Sequence, residues 1–296
     1  QDPLLIQTVE DLMDLSRPEV GLQGYYFRQT SDIDCSVLSS WTDISFNGHY
    51  DGEGCTIAYK SNKDGKSCNL FIIINKSSIK NLKLHNLNLT FNAEYSNIAN
   101  CLSNNSLIVN KAQGCTITAC ESNGALICGS GIDCSITACK AGSSLIDKHA
   151  ENCTITSCKS GSALISGDVK NCKIKDCLVV LNTILSGPST SYGGVAGYGS
   201  LGDGGLVERC FVTGSIKRLI KTNIYFNLDG SITRIISPAI TKADNDQRDF
   251  YGIASSHCSK SFIRQCALGK IEMNSEVKII LKNRISNYDS PSRLEN

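Results

Sequence analysis

Two series of cysteines recur every 19 residues, and they are the residues whose type and spacing could do chemistry. They lie in the segments CTITAC, CSITAC, CTITSC and CKIKDC, which begin at residues 115, 134, 153 and 172. One series is Cys115, Cys134, Cys153 and Cys172, and the other is Cys120, Cys139, Cys158 and Cys177. Thiols in proteins act as nucleophiles, as ligands of soft metals or as disulfide partners.

The rest of the sequence disfavours a metal site or a catalytic thiol. The chain has 16 cysteines and 4 histidines, but it contains no CxxC pair and no HExxH motif. His257 and Cys258 are adjacent, and adjacent residues of a strand point to opposite faces, so they do not pair with each other. We predict no catalytic residue, no metal and no cofactor.

Two interpretations of the cysteine series remain open. Neighbouring rungs of a stacked sheet lie about 4.8 Å apart, which is within the Cα separation that a disulfide accepts. In-register side chains nevertheless point side by side, and this suits the dihedral angle of a disulfide poorly. We favour free thiols that are buried as small hydrophobic groups. A reducing compartment or a well-sealed core agrees with that interpretation.

The elements that position the cysteines are short strands of a repeat. The core isoleucines Ile79, Ile98, Ile117, Ile136, Ile155 and Ile174 are all 19 residues apart. Cys115 and Ile117 point the same way in a strand, whereas Cys120 lies three residues beyond Ile117, which indicates a corner. A fixed period near 20 with strand-type segments is typical of a solenoid. We predict an all-β, right-handed parallel β-helix with coils of about 19 residues.

The composition agrees with a narrow core and excludes several functions. Apolar residues make up 41% of the chain and aromatic residues only 6%, which suits a thin tube filled by Ile, Leu, Val and Cys. A net charge of +1 gives no indication of nucleic acid or an anionic membrane as partner. No apolar run approaches the roughly 20 residues of a membrane helix. The start, QDPLLIQ, lacks Met and a signal-peptide pattern, so we expect a mature form or an excised fragment.

We predict a single β-helix domain over residues 1–296, in three parts. Residues 1–76 form an N-terminal cap and the first coils, with a short amphipathic helix at 7–14 that plugs the first rung. Residues 77–190 form the regular coils with the cysteine ladders. Residues 191–296 form an irregular C-terminal third with an insertion and a polar tail, because terminal rungs of a solenoid must be covered.

Two Gly-rich segments resemble the GLUG motif. They are GGVAGYGSLGDGGLVERCFVTGSI at 193–216 and a degraded copy, YGIASSHCSKSFIRQCALGKI, at 251–271. The N-terminal region resembles the segment that often precedes such repeats, through 6–12, 32–34, Trp41, 46–57, 69–71 and 79–84. The resemblance implies parallel β-helices of bacterial surface and secreted proteins, including adhesin-like proteins and non-catalytic regions of IgA-specific metallopeptidases. It implies a display or binding scaffold with no catalytic residues to transfer.

The cysteine-rich centre, 96–177, departs from that pattern because the Gly pairs of the motif are missing there. This departure leaves open whether the chain acts at a bacterial surface or is delivered into a reducing host cytosol. Three successive rungs carry an outward T-x-T or S-x-T pair, at 116–118, 135–137 and 154–156, before Lys173 and Lys175 end the array. Such arrays resemble ice-binding β-helices, but threonine also simply favours strand faces, and we prefer that interpretation.

We expect the partner to bind at the loops that break the period, 187–205 and 240–262. The candidate binding residues are Tyr192, Tyr198, Asp203, Asp244, Asp246, Asp249 and His257. The acidic stretch 244–249 could coordinate Ca²⁺, but it lacks the central Gly and terminal Glu of an EF-hand loop, so we interpret it as a solvated loop.

The predicted function is a non-catalytic binding or adhesion scaffold of a bacterial surface or secreted protein. We expect a host protein or glycan as partner, and a monomer or part of a longer chain. One alternative is a glycan hydrolase or lyase, which would need acidic residues on adjacent middle rungs, where Thr, Ser, Ala and Lys stand instead. The acidic residues Asp32, Asp34, Asp43, Asp51 and Glu53 are interpreted as turns and caps. The other alternative is a secreted effector that binds host proteins in a reducing cytosol.

Overall fold

A computed structural model gives the structure of the protein. It describes residues 2–60, 68–185, 194–195, 205–226, 232–236, 262–264 and 267–282. These residues form a β-solenoid in which each coil runs through three parallel sheets, which we name A, B and C in the order that the regular coils visit them. The predicted all-β parallel solenoid with coils of about 19 residues is therefore confirmed.

Sheet A carries the outward threonines and the inward isoleucine series. Its strands are Leu4–Ile6, Tyr26–Gln29, His49–Asp51, Ser78–Lys80, Asn97–Ala99, Thr116–Thr118, Ser135–Thr137, Thr154–Thr156, Lys173–Lys175, Leu206–Glu208 and Phe262–Arg264. All of its neighbouring strands are parallel, and Ile98, Ile117, Ile136, Ile155 and Ile174 are register partners in turn. The strands are only three residues long in the centre, because a corner follows each of them.

Sheet B follows the first corner of each coil. Its strands are Ile33–Asp34, Thr56–Ala58, Lys83–His85, Leu102–Ser103, Glu121–Ser122, Lys140–Ala141, Lys159–Ser160, Leu178–Leu185, Phe211–Phe226, Ile232–Ile236 and Ala267–Lys282. Pairing is parallel except between Phe211–Phe226 and Ile232–Ile236, which are antiparallel. This antiparallel pair interrupts the coils within the predicted irregular C-terminal third.

Sheet C closes each coil. Its strands are Ser45–Phe46, Cys68–Asn75, Leu87–Glu94, Ile108–Gln113, Ser130–Ile132, Ala150–Glu151 and Val169–Lys170. Between sheets B and C, single bridges join Ile108, Ile127, Ile146 and Ile165 of successive coils. The Leu-Ile pairs of the repeat therefore form a further stacked column beside sheet C.

Both corners that flank a sheet A strand have the same construction. The residue before each ladder cysteine has a positive φ, for example 53° at Asp133 and 55° at Ala138. The cysteine that follows turns inward, and its thiol donates to the carbonyl two residues earlier, as from Cys134 to Ile132 (3.2 Å) and from Cys139 to Thr137 (3.3 Å). A left-handed residue followed by a small inward donor thus makes the bend. The thiol is a second donor to a carbonyl that also accepts from a backbone amide of the preceding coil, as at Ile132 and Thr137.

The N-terminal end is covered by a short helix. The helix Val9–Asp14 begins at Thr8, whose hydroxyl accepts from the Asp11 amide, while the Asp11 carboxylate accepts from the Thr8 amide. This is a capping box. Leu12 and Leu15 are buried in the core, so the helix packs onto the first coils, within the predicted range 7–14. The other helices are Pro18–Gly21 and a 3₁₀ turn at Cys35–Val37.

Candidate functional site

The two cysteine ladders lie inside the solenoid. Cys115, Cys134, Cys153 and Cys172 are buried, as are Cys120, Cys139, Cys158 and Cys177. No disulfide joins the described cysteines. Ile117, Ile136, Ile155 and Ile174 are buried beside them. The ladders therefore form part of the core, and they do not line a cleft to which a substrate has access.

Several of the buried thiols are held in the neutral form, whereas contacts with neighbouring thiols lower the pKa of Cys158 and Cys172. The contact with Cys134 and burial both raise the pKa of Cys115 well above its usual value. For Cys134, the contact with Cys115 lowers the pKa, but the contact with Cys153 and burial outweigh it and raise the pKa to about 12. Burial raises the pKa of Cys35 to about 11, and the charge of Asp34 adds to this. A thiol is a nucleophile or metal ligand as its thiolate, so Cys115, Cys134 and Cys35 are poor candidates for either role near neutral pH.

A serine fills the same corner in the two preceding coils. Ser96 and Ser77 occupy the position of Cys115 one and two coils earlier, respectively, and both are buried. The Ser96 hydroxyl donates to the Glu94 carbonyl (2.7 Å), just as the Cys115 thiol donates to the Gln113 carbonyl (3.3 Å). The position requires a small donor, and either serine or cysteine supplies it. This is a structural role for the ladder.

The outward face of sheet A changes character along the solenoid. In the centre, Thr116, Ser135 and Thr154 are register partners, as are Thr118, Thr137 and Thr156. In the first coils, the corresponding positions carry large and charged side chains. Tyr26, His49 and Ser78 form one outward column, and Arg28, Asp51 and Lys80 form the next.

These N-terminal side chains line a cleft of about 390 Å³, which we name the N-terminal cleft. The rings of Tyr26 and His49 stack with centroids 4.2 Å apart and planes 12° from parallel. The Tyr26 side chain remains 50% exposed, so its ring is available to a ligand. Arg28, Asp51 and Lys80 lie beside this aromatic platform.

Of the two positively charged side chains that line the N-terminal cleft, Lys80 is paired with Asp51. Lys80 Nζ lies 2.8 Å from an Asp51 carboxylate oxygen, and the Asn81 amide donates to the other oxygen (2.9 Å). Burial acts to raise the pKa of Asp51, but the hydrogen bonds from Lys80, Asn81 and the Glu53 amide outweigh it and lower the pKa. Asp51 is therefore ionised and neutralises Lys80. Within the described chain, Arg28 forms no ion pair and leaves the cleft with an excess positive charge.

The cleft is supported from behind by aromatic side chains and one buried polar pair. Phe27 and Tyr50 point inward from the same strands and are buried. The Tyr50 hydroxyl donates to Gln29 Oε1 (3.0 Å), and the Gln29 amide donates to the carbonyls of Ser31 and Thr56. These bonds join neighbouring coils beneath the platform. A network whose polar groups are satisfied fixes the strands that carry Tyr26 and His49.

The sequence did not indicate this cleft. The predicted binding residues Tyr192, Tyr198, Asp203, Asp244, Asp246, Asp249 and His257 all lie outside the described residues. Of the N-terminal acidic cluster, Asp32 accepts from the Thr56 amide and Asp34 accepts from the Ser36 amide. Asp51, which belongs to the same acidic cluster, lines the N-terminal cleft. One sequence pattern could have indicated the cleft. An aromatic or charged residue stands on each side of Phe27 and of Tyr50, and this alternation is typical of a strand whose two faces differ.

No metal site or membrane helix is found in the described part of the chain. No group of three or more His, Cys, Asp or Glu side chains lies close enough to hold an ion among these residues. Within the same residues, no helix has the length and apolarity to cross a membrane.

Comparisons with known proteins found similarity to solved structures but not to family models or curated proteins. No family model matches the chain, and no curated protein matches it. Among solved structures, a similar one is the crystal structure of a "putative immunoglobulin A1 protease" from Bacteroides ovatus. The identity is 14%, the TM-score is 0.42, and the match covers 86% of this chain and 84% of that chain. At this level of similarity, nothing about ligand or activity follows for this chain.

Proposed function

We propose that this protein is a non-catalytic binding scaffold that holds an acidic saccharide in the N-terminal cleft. The observation that carries the proposal is the exposed Tyr26–His49 stack beside Arg28, which forms no ion pair with the described residues. We further propose that the chain belongs to a bacterial surface or secreted protein and that the saccharide is a host glycan. The GLUG-like segments of the sequence support this part of the proposal.

The aromatic platform suits the face of a sugar ring. The face of an aromatic ring carries partial negative charge, and it attracts the weakly positive C–H groups on the apolar face of a pyranose. The Tyr26 ring stacks face to face on the His49 ring, so its orientation is fixed and its other face is the surface offered to a sugar. The cleft volume of about 390 Å³ lies at the small end of ligand pockets, which suits one or two sugar units.

The charges favour a sugar that bears a carboxylate. Arg28 presents a planar guanidinium whose N–H groups match the two oxygens of a carboxylate. Lys80 is occupied by Asp51, and Asp51 can accept hydrogen bonds from sugar hydroxyls through its remaining lone pairs. An uronic or sialic acid offers both a carboxylate and hydroxyls, so it fits this combination.

The number of carboxylates supports binding without cleavage. Glycoside hydrolases use two carboxyl groups about 5–9.5 Å apart, one of which must carry a proton to act as the acid. Asp51 is the single carboxylate that lines the N-terminal cleft in the described chain. Its lowered pKa keeps it ionised, so it is unsuited to the role of general acid.

A second candidate function is an effector that binds host proteins in a reducing cytosol. It is favoured by one observation, that no disulfide joins the described cysteines. Free thiols are typical of reducing compartments. The two functions share the scaffold and differ in compartment and partner.

The test uses the full chain and immobilised oligosaccharides that contain uronic or sialic acid, together with neutral ones. Retention and product length are recorded in the same experiment. We expect retention of the acidic glycans without shortening. Tyr26→Ala and Arg28→Gln should each weaken binding roughly tenfold. The matched controls are Tyr95→Ala, because Tyr95 is 59% exposed and lies outside the cleft, and Arg17→Gln near the N-terminal cap.

Each outcome decides between the functions. Shortened glycans would make the protein an enzyme. Equal effects of the cleft and control variants would place binding elsewhere on the molecule. An absence of retention would overturn saccharide binding, and a pull-down from host lysate would then test the effector function.

A further inference from the structure

We infer that a second cleft, at the corner between sheets B and C, binds a neutral saccharide. It has a volume of about 650 Å³, and we name it the amide cleft. Its lining includes Asn69, Asn88, Phe91, Asn105, Val109 and Asn123. This inference does not depend on the N-terminal cleft, which lies on sheet A and is lined by other residues.

A β-bulge shapes the amide cleft. The strands Leu87–Glu94 and Ile108–Gln113 pair at Thr90 with Ile108 and again at Asn92 with Lys111. Two residues, Val109 and Asn110, therefore stand opposite Phe91 alone. A bulge bends its strand and re-aims side chains, and bulges are over-represented beside active sites. Here the bulge brings Phe91 and Val109 together as an apolar wall of the cleft.

One amide forms a fixed base for the cleft. Asn88 is more than nine-tenths buried. Its Nδ2 donates to the Cys68 carbonyl (3.3 Å) and to Asn69 Oδ1 (3.1 Å), and its Oδ1 accepts from the Ser106 amide (3.2 Å). These bonds join three successive coils. The side chain of Asn88 thus holds Asn69 and the Ser106 corner in place, so the polar side of the cleft is organised before a ligand arrives.

Other amides in the lining remain available. The side-chain amides of Asn105 and Asn123 make no hydrogen bond to the described part of the chain. Each amide offers two N–H donors and a carbonyl acceptor. A sugar hydroxyl both donates and accepts, so an amide can contact two neighbouring hydroxyls through its N–H group and its oxygen.

The described lining of the amide cleft lacks charged side chains, and this favours a neutral ligand. The described residues that line the amide cleft include no Asp, Glu, Lys, Arg or His. A charged ligand would lose its hydration there without a countercharge, which costs free energy. A neutral sugar loses less free energy on leaving water, because the cleft amides replace its hydrogen bonds with water. Phe91 and Val109 cover the C–H face of its ring. These properties distinguish the amide cleft from the N-terminal cleft.

A cysteine at the edge of the amide cleft allows ligand binding to be measured. Cys128 is half-buried, lines the amide cleft, and its sulfur lies 2.9 Å from the Ser106 hydroxyl. Cys55 is also half-buried but does not line this cleft. A bound sugar should slow alkylation of Cys128 and leave Cys55 unchanged. Both rates are read in one native sample by alkylation with N-ethylmaleimide and peptide mass spectrometry.

The experiment titrates the full chain with neutral glucose and mannose hexasaccharides. We expect at least one of them to protect Cys128 in a saturable manner. Phe91→Ala should weaken protection roughly tenfold. Asn123→Ala, at an exposed position where we expect no loss of folding, should weaken it roughly fivefold. Asn97→Ala, an exposed asparagine on sheet A, and Tyr26→Ala should have no effect.

Three results would overturn the inference. The first is no protection of Cys128 by any neutral hexasaccharide at about 10 mM, far above the Kd expected for a specific site. The second is equal protection of Cys128 and Cys55. The third is protection by an extended neutral peptide and not by a sugar, which would make the cleft a site for protein. A failure of acidic glycans to bind Tyr26→Ala would leave the inference intact, because it concerns the other cleft.

Discussion

The first coils and the central coils share one backbone design but have different cores. Toward the N-terminus, the inward column of sheet C carries Phe46 and Ile74, and that of sheet B carries Ile57 and Leu84. In the centre, the column of sheet C consists of small residues, Ala112, Gly131 and Ala150, and that of sheet B consists of Ser103, Ser122, Ala141 and Ser160. The solenoid is therefore wide at its N-terminal end and narrow in the middle.

This difference in width goes with a difference in surface. The narrow coils repeat after 19 residues, so each outward position receives nearly the same residue, and the face of sheet A becomes a flat array of Thr and Ser. The wide coils are irregular in length and carry Tyr26, His49, Arg28 and Asp51 on the same face. Departure from the repeat thus coincides with a concave surface and diverse chemistry, as expected for a functional region of a solenoid.

The largest expected effect is an alkaline loss of stability that originates in the cysteine-filled centre. The pKa values of Cys134 and Cys153 are raised from 9.0 to about 12 in the folded protein. Between those values the unfolded chain has released these protons and the folded chain still binds them, so stability falls as pH rises. Each such cysteine should contribute about 1.4 kcal/mol per pH unit. Urea titrations at pH 8, 9, 10 and 11 measure this slope.

The control for the alkaline effect is the double variant Cys134→Ser, Cys153→Ser. Ser96 shows that a serine satisfies the same corner carbonyl, so we expect the variant to fold. Its slope should be smaller by about 2.7 kcal/mol per pH unit. An unchanged slope would mean that other groups govern the alkaline transition.

The second prediction concerns the wide coils. Phe46 is buried and packs against Phe71 with ring centroids 4.8 Å apart. Phe46→Ala should leave a cavity and lower the free energy of unfolding by about 3–5 kcal/mol, because the surrounding backbone is held by three sheets. Phe211→Ala is the matched control, since Phe211 is 41% exposed. Comparable losses in both variants would contradict the assigned core.

The third prediction tests whether the centre is already full. A Cβ atom added at Gly131 would lie 2.9 Å from Ile146 Cδ1 and 3.6 Å from Cys153 Sγ. Gly131→Val should therefore overpack the core and cost about 1–3 kcal/mol, as measured by urea unfolding. Thr137→Val, on the outward face of the same coil, should change stability much less. A neutral Gly131→Val would show that the narrow coils contain spare volume.

The smallest expected effect is a gain in stability at a corner. Ala119 has φ of 52°, a conformation that asparagine adopts more readily than alanine. Asn100 stands at the same corner one coil earlier and donates to Asn81 Oδ1 (3.2 Å). Ala119→Asn should continue this column and raise the free energy of unfolding by roughly 0.5–1 kcal/mol. Ala99→Asn on the strand, where no left-handed residue is needed, should give no gain; equal gains would contradict the explanation.

The sequence alone determined the central coils. Fixed spacing places Cys115, Ile117 and Cys120 at the same points of every coil, and parallel stacking of equal units leaves a single register that keeps them inside. The corners were also visible, because the step from Ile117 to Cys120 breaks the alternation of a strand. The third sheet was less evident, since its central members, such as Ala150–Glu151, are too short to show a pattern.

Only the tertiary structure decided where the two clefts lie. Tyr26, His49 and Ser78 are separated by unequal lengths of chain, so no period predicts that they share a column. The amide cleft depends on a bulge that places two residues opposite Phe91, and a bulge shifts register without a clear sequence mark. Equal repeats allow position to be counted along the chain, whereas unequal coils and bulges are fixed by pairing between strands that are distant in sequence.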